Sequence, residues 1–390
     1  MDKLINTYRT LLGNTQTIFH RYMFDRINWS NRLVGIVGPR GVGKTTMMLQ
    51  YIKERLDPST TLYVTADDFY FSTQRLTDLA DEFVNNGGKH LFVDEIHKHP
   101  EWSRELKLIY DYHPDLQVVF SGSSILDITR GATSDLSRRT VIYNMQGLSF
   151  REYLYLFHDV QLPLLSLDDI LSNRIQLPDG FHPLPIFKQY LQQGYYPFAS
   201  DSDYHLRLMG IINQTLSVDI PQYADMNAST ARKLKHLLMI VAQSVPFKPN
   251  MTTIGQTLNV SRNNVADYLL YIEEAGLISQ VRDATGGIRG LGKVNKVYLD
   301  NTNLIYALAD AAADIGNIRE TFFFNQMRVN HPAVSSQIAD FDIGDFTFEV
   351  GGRSKGKRQI ATAAHGYIVK DDIEYGYTNT IPLWTFGLNY

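Results

Sequence analysis

The chain has 390 residues, 44% of them hydrophobic, enough to bury a substantial core and to suggest two to three domains. It has no cysteine, which excludes disulfides and thiolate metal sites, and its formal net charge of −4 gives no global attraction to nucleic acid. Met1 to Asn14 carries Asp2, Lys3 and Arg9 without a long apolar run, and no stretch of about 18 consecutive apolar residues occurs; neither a signal peptide nor a membrane span is expected, and the expected place is the cytoplasm.

Residues 1–31 read as a helical arm, with Leu4, Ile5, Tyr8, Leu11 and Leu12 at helical spacing. The apolar run Leu33 to Val37 reads as a strand. Gly38-Pro39-Arg40-Gly41-Val42-Gly43-Lys44-Thr45-Thr46 follows it as a glycine loop, and Met47, Met48, Tyr51 and Ile52 then continue at helical spacing. Strand, glycine loop and helix in that order is the context of a phosphate-binding P-loop. Gly38 and Gly43 let backbone amides converge on a polyphosphate at the N-terminus of the helix, where the dipole favours anions. Lys44 is placed to neutralise the β- and γ-phosphates of ATP, and the Thr45 hydroxyl to hold Mg²⁺.

The helix ends around Leu56-Asp57-Pro58, and Thr61 to Thr65 is the next strand. Asp67 and Asp68 at its end suit either a nucleotide contact or loop caps. His90-Leu91-Phe92-Val93-Asp94-Glu95 is an apolar strand ending in two carboxylates about 50 residues past Lys44. It resembles the Walker B element of AAA-type proteins. Asp94 would then reach Mg²⁺ through water, and Glu95 would orient and polarise the attacking water. Leu116 to Phe120 is a further strand, running into Ser121-Gly122-Ser123-Ser124; Ser121 and Ser123 stand where AAA-type proteins carry a first sensor, or else form a serine-rich turn. Arg138 and Arg139 precede the strand Val141 to Met145, as a cation source for the γ-phosphate or as a solvated pair. Alternating strands and helices predict an α/β fold over 32–147, a parallel sheet with helices on both faces.

From 148 to 229 the pattern turns helical and is expected to form a lid and linker, with Ser149 and Glu152 at capping-box spacing and residues 159–186 irregular. Residues 230–300 resemble a winged helix-turn-helix. They hold nine Lys plus Arg against five Asp plus Glu, a surplus of four in an acidic chain. Arg262, Asn263 and Asn264 at the start of the recognition helix, with Lys293 and Lys296 on the wing, are the candidate contacts to double-stranded DNA. Such modules in ATPases also serve only as packing units, and Asp267, Glu273 and Glu274 dilute the basic face. Over 301–390, Glu320 in a helix, then Asp345 and Glu349, are the candidate remains of a restriction-endonuclease-like centre. In such a centre carboxylates hold Mg²⁺ and lysine assists the attacking water. The lysine position is Gly351, so activity is not expected there.

Taken together the chain resembles prokaryotic AAA-type P-loop ATPases that combine a winged helix with a C-terminal endonuclease-like region of unknown function. The resemblance implies ATP and Mg²⁺ as ligands and hydrolysis of ATP; the leading expectation for the chain is a nucleotide-driven conformational switch, and the alternative is a DNA-binding module with a regulatory ATP site. Lys44, Glu95, Ser121, Ser123 and Arg139 would be its catalytic residues, although Arg138 replaces the glycine that precedes the family's arginine. DNA, further copies of the chain and a protein client are the candidate macromolecular partners.

Overall fold

Strands buried on both faces need apolar side chains on both, and the runs at 33–37, 61–65, 90–94 and 117–122 supply them. In a computed structural model the chain divides into two compact units, Met1–Gly147 and Leu148–Tyr390. The structure describes residues 1–122, 136, 138–224, 226–243, 248–284, 294–308, 314–353, 356 and 359–390.

In the first unit Leu33–Val37 (β1), Thr61–Thr65 (β2), His90–Asp94 (β3), Gln117–Gly122 (β4) and Val141–Asn144 (β5) form a sheet in the order β2-β3-β4-β1-β5. All its pairings are parallel, and the register sets Val37 beside Gly122 and Asn144, and Thr65 beside Asp94. The carboxyl ends of the strands therefore share one edge, where ligands of open α/β sheets bind. Parallel neighbours need crossover segments, here the helices Lys44–Arg55 (α2), Leu76–Asn85 (α3) and Trp102–Tyr112 (α4). This is the P-loop NTPase type of α/β fold.

The expected helix over residues 1–31 is shorter. It spans Asp2–Asn14 (α1) and stops after Gly13-Asn14, where Thr15 turns extended at φ −74° and ψ 124°. Beyond it Tyr22, Met23, Phe24, Ile27 and Trp29 are buried in turns. The Trp29 ring stacks on Tyr51 of α2 at 3.9 Å, a contact whose partners are too far apart in sequence for periodicity to reveal.

The second unit opens with Phe150–His158 (α5), on the capping box that its spacing predicts: Ser149 Oγ accepts from the Glu152 amide and Glu152 Oε2 from the Ser149 amide. The stretch 159–186 is not wholly irregular. Leu167–Leu171 (α6) forms on a second box, Ser166 with Asp169. Pro183–Gln193 (α7), Tyr204–Gln214 (α8), Ile220–Tyr223 (α9), Ala228–Gln243 (α10), Met251–Leu258 (α11) and Arg262–Glu274 (α12) follow. Ile278–Arg282 (β6) and Val294–Leu299 (β7) then pair antiparallel. Residues 148–229 do not stand apart as a lid. Ser149 Oγ donates to the Tyr390 carbonyl at 2.7 Å, and Thr302 Oγ1 and Asn303 Nδ2 donate to the Leu191 carbonyl at 2.6 and 2.9 Å.

Thr302–Leu308 (α13) and Ile315–Met327 (α14) lead into a second sheet made of Ala333–Ser335 (β8), Phe341–Ile343 (β9), Phe346–Gly351 (β10), Gly366–Lys370 (β11) and Thr380–Pro382 (β12). Its order is β12-β11-β10-β9-β8, antiparallel from β8 to β10 and parallel from β10 to β12. Phe323 of α14 packs between Phe348 and Phe386, 5.2 and 4.8 Å away. Among the described residues no helix is long and apolar enough to cross a membrane.

Candidate nucleotide-binding site

The loop after β1 can only be built with glycine at its first position. A Cβ on Gly38 would lie 2.1 Å from the Met145 carbonyl oxygen, so the main chain passes where no side chain fits. Gly43 ends the loop in a left-handed conformation at φ 98° and caps α2, whose first residue is Lys44. Beneath the loop lies Arg21, 5% exposed, donating to the carbonyls of Val42, Gln146 and Gly147, the last two at 2.7 and 2.8 Å. Pro39 and Val42 are buried, whereas Gly41, Thr45 and Thr46 are exposed. Lys44 is buried, and its Nζ donates to the carbonyls of Gly38 and Pro39 at 2.8 and 2.9 Å.

Asp94, at the end of β3 and 3% exposed, gathers hydroxyls from several segments. Its Oδ2 accepts from Thr45 Oγ1 at 2.5 Å and from Tyr63 Oη at 2.7 Å. Its Oδ1 accepts from Ser121 Oγ and from the Glu95 amide, the latter at 3.0 Å. Burial, then the Asp94 carboxylate, raise the Tyr63 pKa far above its ordinary value, so the phenol remains a neutral donor. Glu95 sits at φ 50°, a left-handed conformation costly for a non-glycine residue. Its Oε2 lies 3.6 Å from Arg40 Nη2 and 3.4 Å from His97 Nε2. The carboxylate beside His97 favours the imidazolium, but burial and the cations Lys98, Arg40 and Lys44 outweigh it and push the imidazole down to about 3. His97 is thus neutral at physiological pH.

A hydroxyl and a carboxylate at 2.5 Å form the hard-oxygen donor pair that suits Mg²⁺. A main-chain loop with no room for a Cβ, followed by a buried ammonium at a helix N-terminus, suits a polyphosphate. The residues present therefore fit both groups, with Thr45 and Asp94 as the metal-side donors.

Residues 30–154 match the family model of an AAA domain. The first unit thus carries an AAA-type P-loop domain. Residues 184–314 match a second model, a domain of unknown function. An uncharacterized protein of Methanocaldococcus jannaschii is 24% identical over 277 residues, covering 65% of this chain and 57% of that protein, so the match spans little more than half of the relative's length. Similar solved structures include the Walker-type ATPase of Pyrococcus abyssi, 13% identical over 75% of this chain and 96% of that one with a TM-score of 0.45. AMPPCP-bound DnaA from Aquifex aeolicus is 15% identical over 69% and 86% of the two chains, with a TM-score of 0.25.

The AAA domain brings together Lys44, Thr45, Asp94, Glu95 and Ser121. Ser123 lies outside the described residues. Arg139 is not brought to the site: its Nε and Nη2 donate to Asp111 at 3.0 and 3.1 Å. Asp111 is in the last turn of α4, beside the carbonyls of Tyr110 and His113 that accept from Arg32 just ahead of β1. Arg139 precedes β5, and β5 runs parallel to β1, so it lies at the opposite end of the sheet from the P-loop, roughly 16 Å away along five residues of strand. Asp68 caps the turn after β2, accepting from the Tyr70 amide at 2.9 Å, and Asp67 is exposed.

In the second unit Arg262, Asn263 and Asn264 are exposed at the start of α12, where Ser261 caps the helix. Lys293 lies outside the described residues. Lys296 is no surface contact: its Nζ lies 3.1 Å from Glu320 and 3.4 Å from Asp340, because β7 turns this side chain toward α14 and the second sheet. Glu320 also accepts from Tyr298 Oη at 2.5 Å. Asp345 is exposed in the turn between β9 and β10, and Glu349 is buried within β10. The acid that joins Glu320 is thus Asp340, whose Oδ2 accepts from the Val350 amide at 3.0 Å. Among the described residues no group of three or more His, Asp or Glu could hold a metal ion. Sequence reasoning missed Tyr63, Arg21, His97 and Asp340. Only Tyr63 had a usable signal, since the alternation of a strand puts it on the face of Thr65, which pairs with Asp94.

Proposed function

We propose that the AAA domain binds ATP with Mg²⁺ and hydrolyses its γ-phosphate, acting as a nucleotide-driven switch. The observation that carries the reading is the convergence of Thr45, Ser121 and Tyr63 on Asp94, next to Lys44 and Glu95, at the carboxyl edge of the sheet. Loop amides and the α2 N-terminus hold the phosphates, Lys44 exchanges the carbonyls of Gly38 and Pro39 for phosphate oxygens, and Thr45 and Asp94 hold the metal. Mg²⁺, when bound, supplies neutralisation of charge on the β- and γ-phosphate oxygens. Glu95 orients the attacking water and takes its proton. The switch reading is supported by two contacts that an entering polyphosphate would have to displace, Lys44 with its loop carbonyls and Arg40 with Glu95. Lys44→Ala should abolish nucleotide binding, whereas Glu95→Gln should bind ATP and lower turnover about 100-fold or more. Wild-type turnover in Glu95→Gln would refute the assignment of that carboxylate.

A second reading, duplex DNA bound through the second unit, is favoured by the exposed Arg262, Asn263 and Asn264 at a helix start. It is weakened by the engagement of Lys296 with two acids. Affinity should fall with salt and drop further in Arg262→Ala; a response flat in salt removes this reading.

A further inference from the structure

Two cations of the P-loop are engaged with the protein's own oxygens. Lys44 bonds loop carbonyls, and the Arg40 guanidinium stands 3.6 Å from the Glu95 carboxylate. The second contact joins the loop that would receive phosphate to the group that would activate water. Its side chains are 27% and 24% exposed, so the attraction acts through a partly dehydrated medium. Glu95 is presented to Arg40 from a left-handed backbone, φ 50°, with His97 Nε2 3.4 Å from the same oxygen. Since burial keeps that imidazole neutral, the positive charge in this trio is Arg40.

We propose that Arg40 is a positioning residue that holds Glu95 until nucleotide enters, then turns to the polyphosphate and frees Glu95 for the attacking water. The proposal rests on the nucleotide-binding reading above. A guanidinium engages a phosphate through two parallel charge-assisted hydrogen bonds, whereas at 3.6 Å its contact with Glu95 is loose, so polyphosphate outcompetes the carboxylate. Nothing covalent is exchanged; one partner of Arg40 replaces another. The release of the base is thereby tied to the presence of the phosphate it acts on, which only a difference in contacts between the two states can do.

The test is a double-mutant cycle on binding of β,γ-imido-ATP with Mg²⁺, measured by calorimetry so that turnover plays no part. With Arg40 present, nucleotide must break the pair, so Glu95→Gln should tighten binding about five-fold. In an Arg40→Gln background the same change should alter affinity by less than about two-fold, because the contact between Arg40 and Glu95 is already gone. Equal tightening in both backgrounds would mean that Glu95 acts on the phosphates directly, and would overturn the proposal while leaving the binding site intact. Failure of the wild-type protein to bind would overturn both. Arg40→Lys, which keeps the charge and loses the planar fork, guards against a loop disturbed by Arg40→Gln: part of the coupling should survive in it, and its complete loss there counts against the pair.

Discussion

His97 makes the stability of the first unit depend on pH in a direction fixed by its burial. The folded imidazole stays neutral down to about 3, while in the unfolded chain it takes a proton below about 6.5. Between those values the unfolded state binds the extra proton, so stability rises with pH across this window and is fully present above it. At pH 5 the difference corresponds to 1.5 units, or about 2 kcal/mol lost relative to pH 8. The His97→Gln protein keeps a hydrogen-bonding side chain that does not titrate. It should lose stability elsewhere as the wild type does, but about 2 kcal/mol less between pH 8 and pH 5. Native-state hydrogen exchange of the β3 amides, corrected for the intrinsic pH dependence of exchange, reads the opening of this unit separately from the second. If wild type and His97→Gln lose the same protection over that range, His97 is not buried neutral and the electrostatic description of the Glu95 environment is wrong.

Gly38→Ala should destabilise the AAA domain by about 3 kcal/mol and remove nucleotide binding, because the new Cβ meets a backbone oxygen that cannot rotate away. Gly13→Ala is its control: nothing lies within 4 Å of a Cβ there, and denaturation should show a gain of about 0.5–1 kcal/mol from helix propensity. Lys296→Met should cost the second unit about 3 kcal/mol at pH 8, leaving Glu320 and Asp340 to repel one another. Burial and Asp340 already raise the Glu320 pKa, so lowering the pH should neutralise that acid first and shrink the defect; a deficit that does not change with pH would show that the two carboxylates do not face each other.

What was legible in the sequence was whatever is local along the chain. The loop from Gly38 to Thr45 needs only its own residues, and the capping box at Ser149 and Glu152 spans three positions. The short helix at Leu167–Leu171 escaped notice because its box uses Asp169, whose shorter side chain departs from the usual Glu or Gln. The misplacements share another cause. Arg139 is suggested by its place after the sensor strand and by its match to the family's arginine, but in a parallel sheet the entrance to one strand lies at the far end from the exit of its neighbour. Lys296 was assigned to an exposed wing by element type, yet which face of β7 points outward depends on Glu320 and Asp340, 24 and 44 residues further on. Asp345 and Asp340 cannot be ranked from sequence, since both flank the same short strand.

Asp94 shows why the serine at 121 stayed ambiguous until strand pairing was known. In a strand-and-turn reading, Ser121 suits a turn as well as a site. The pairing of β3 with β4 sets Val93 opposite Phe120, and the next step along both strands brings Asp94 beside Ser121. A buried carboxylate left unsatisfied would be costly, and here Thr45, Tyr63 and Ser121 satisfy it with hydroxyls. Thr45 Oγ1 reaches Asp94 from the start of α2, whereas Tyr63 and Ser121 hold it from β2 and β4. The acid is therefore oriented by the sheet, while one of its partner hydroxyls comes from the first turn of the helix that follows the P-loop.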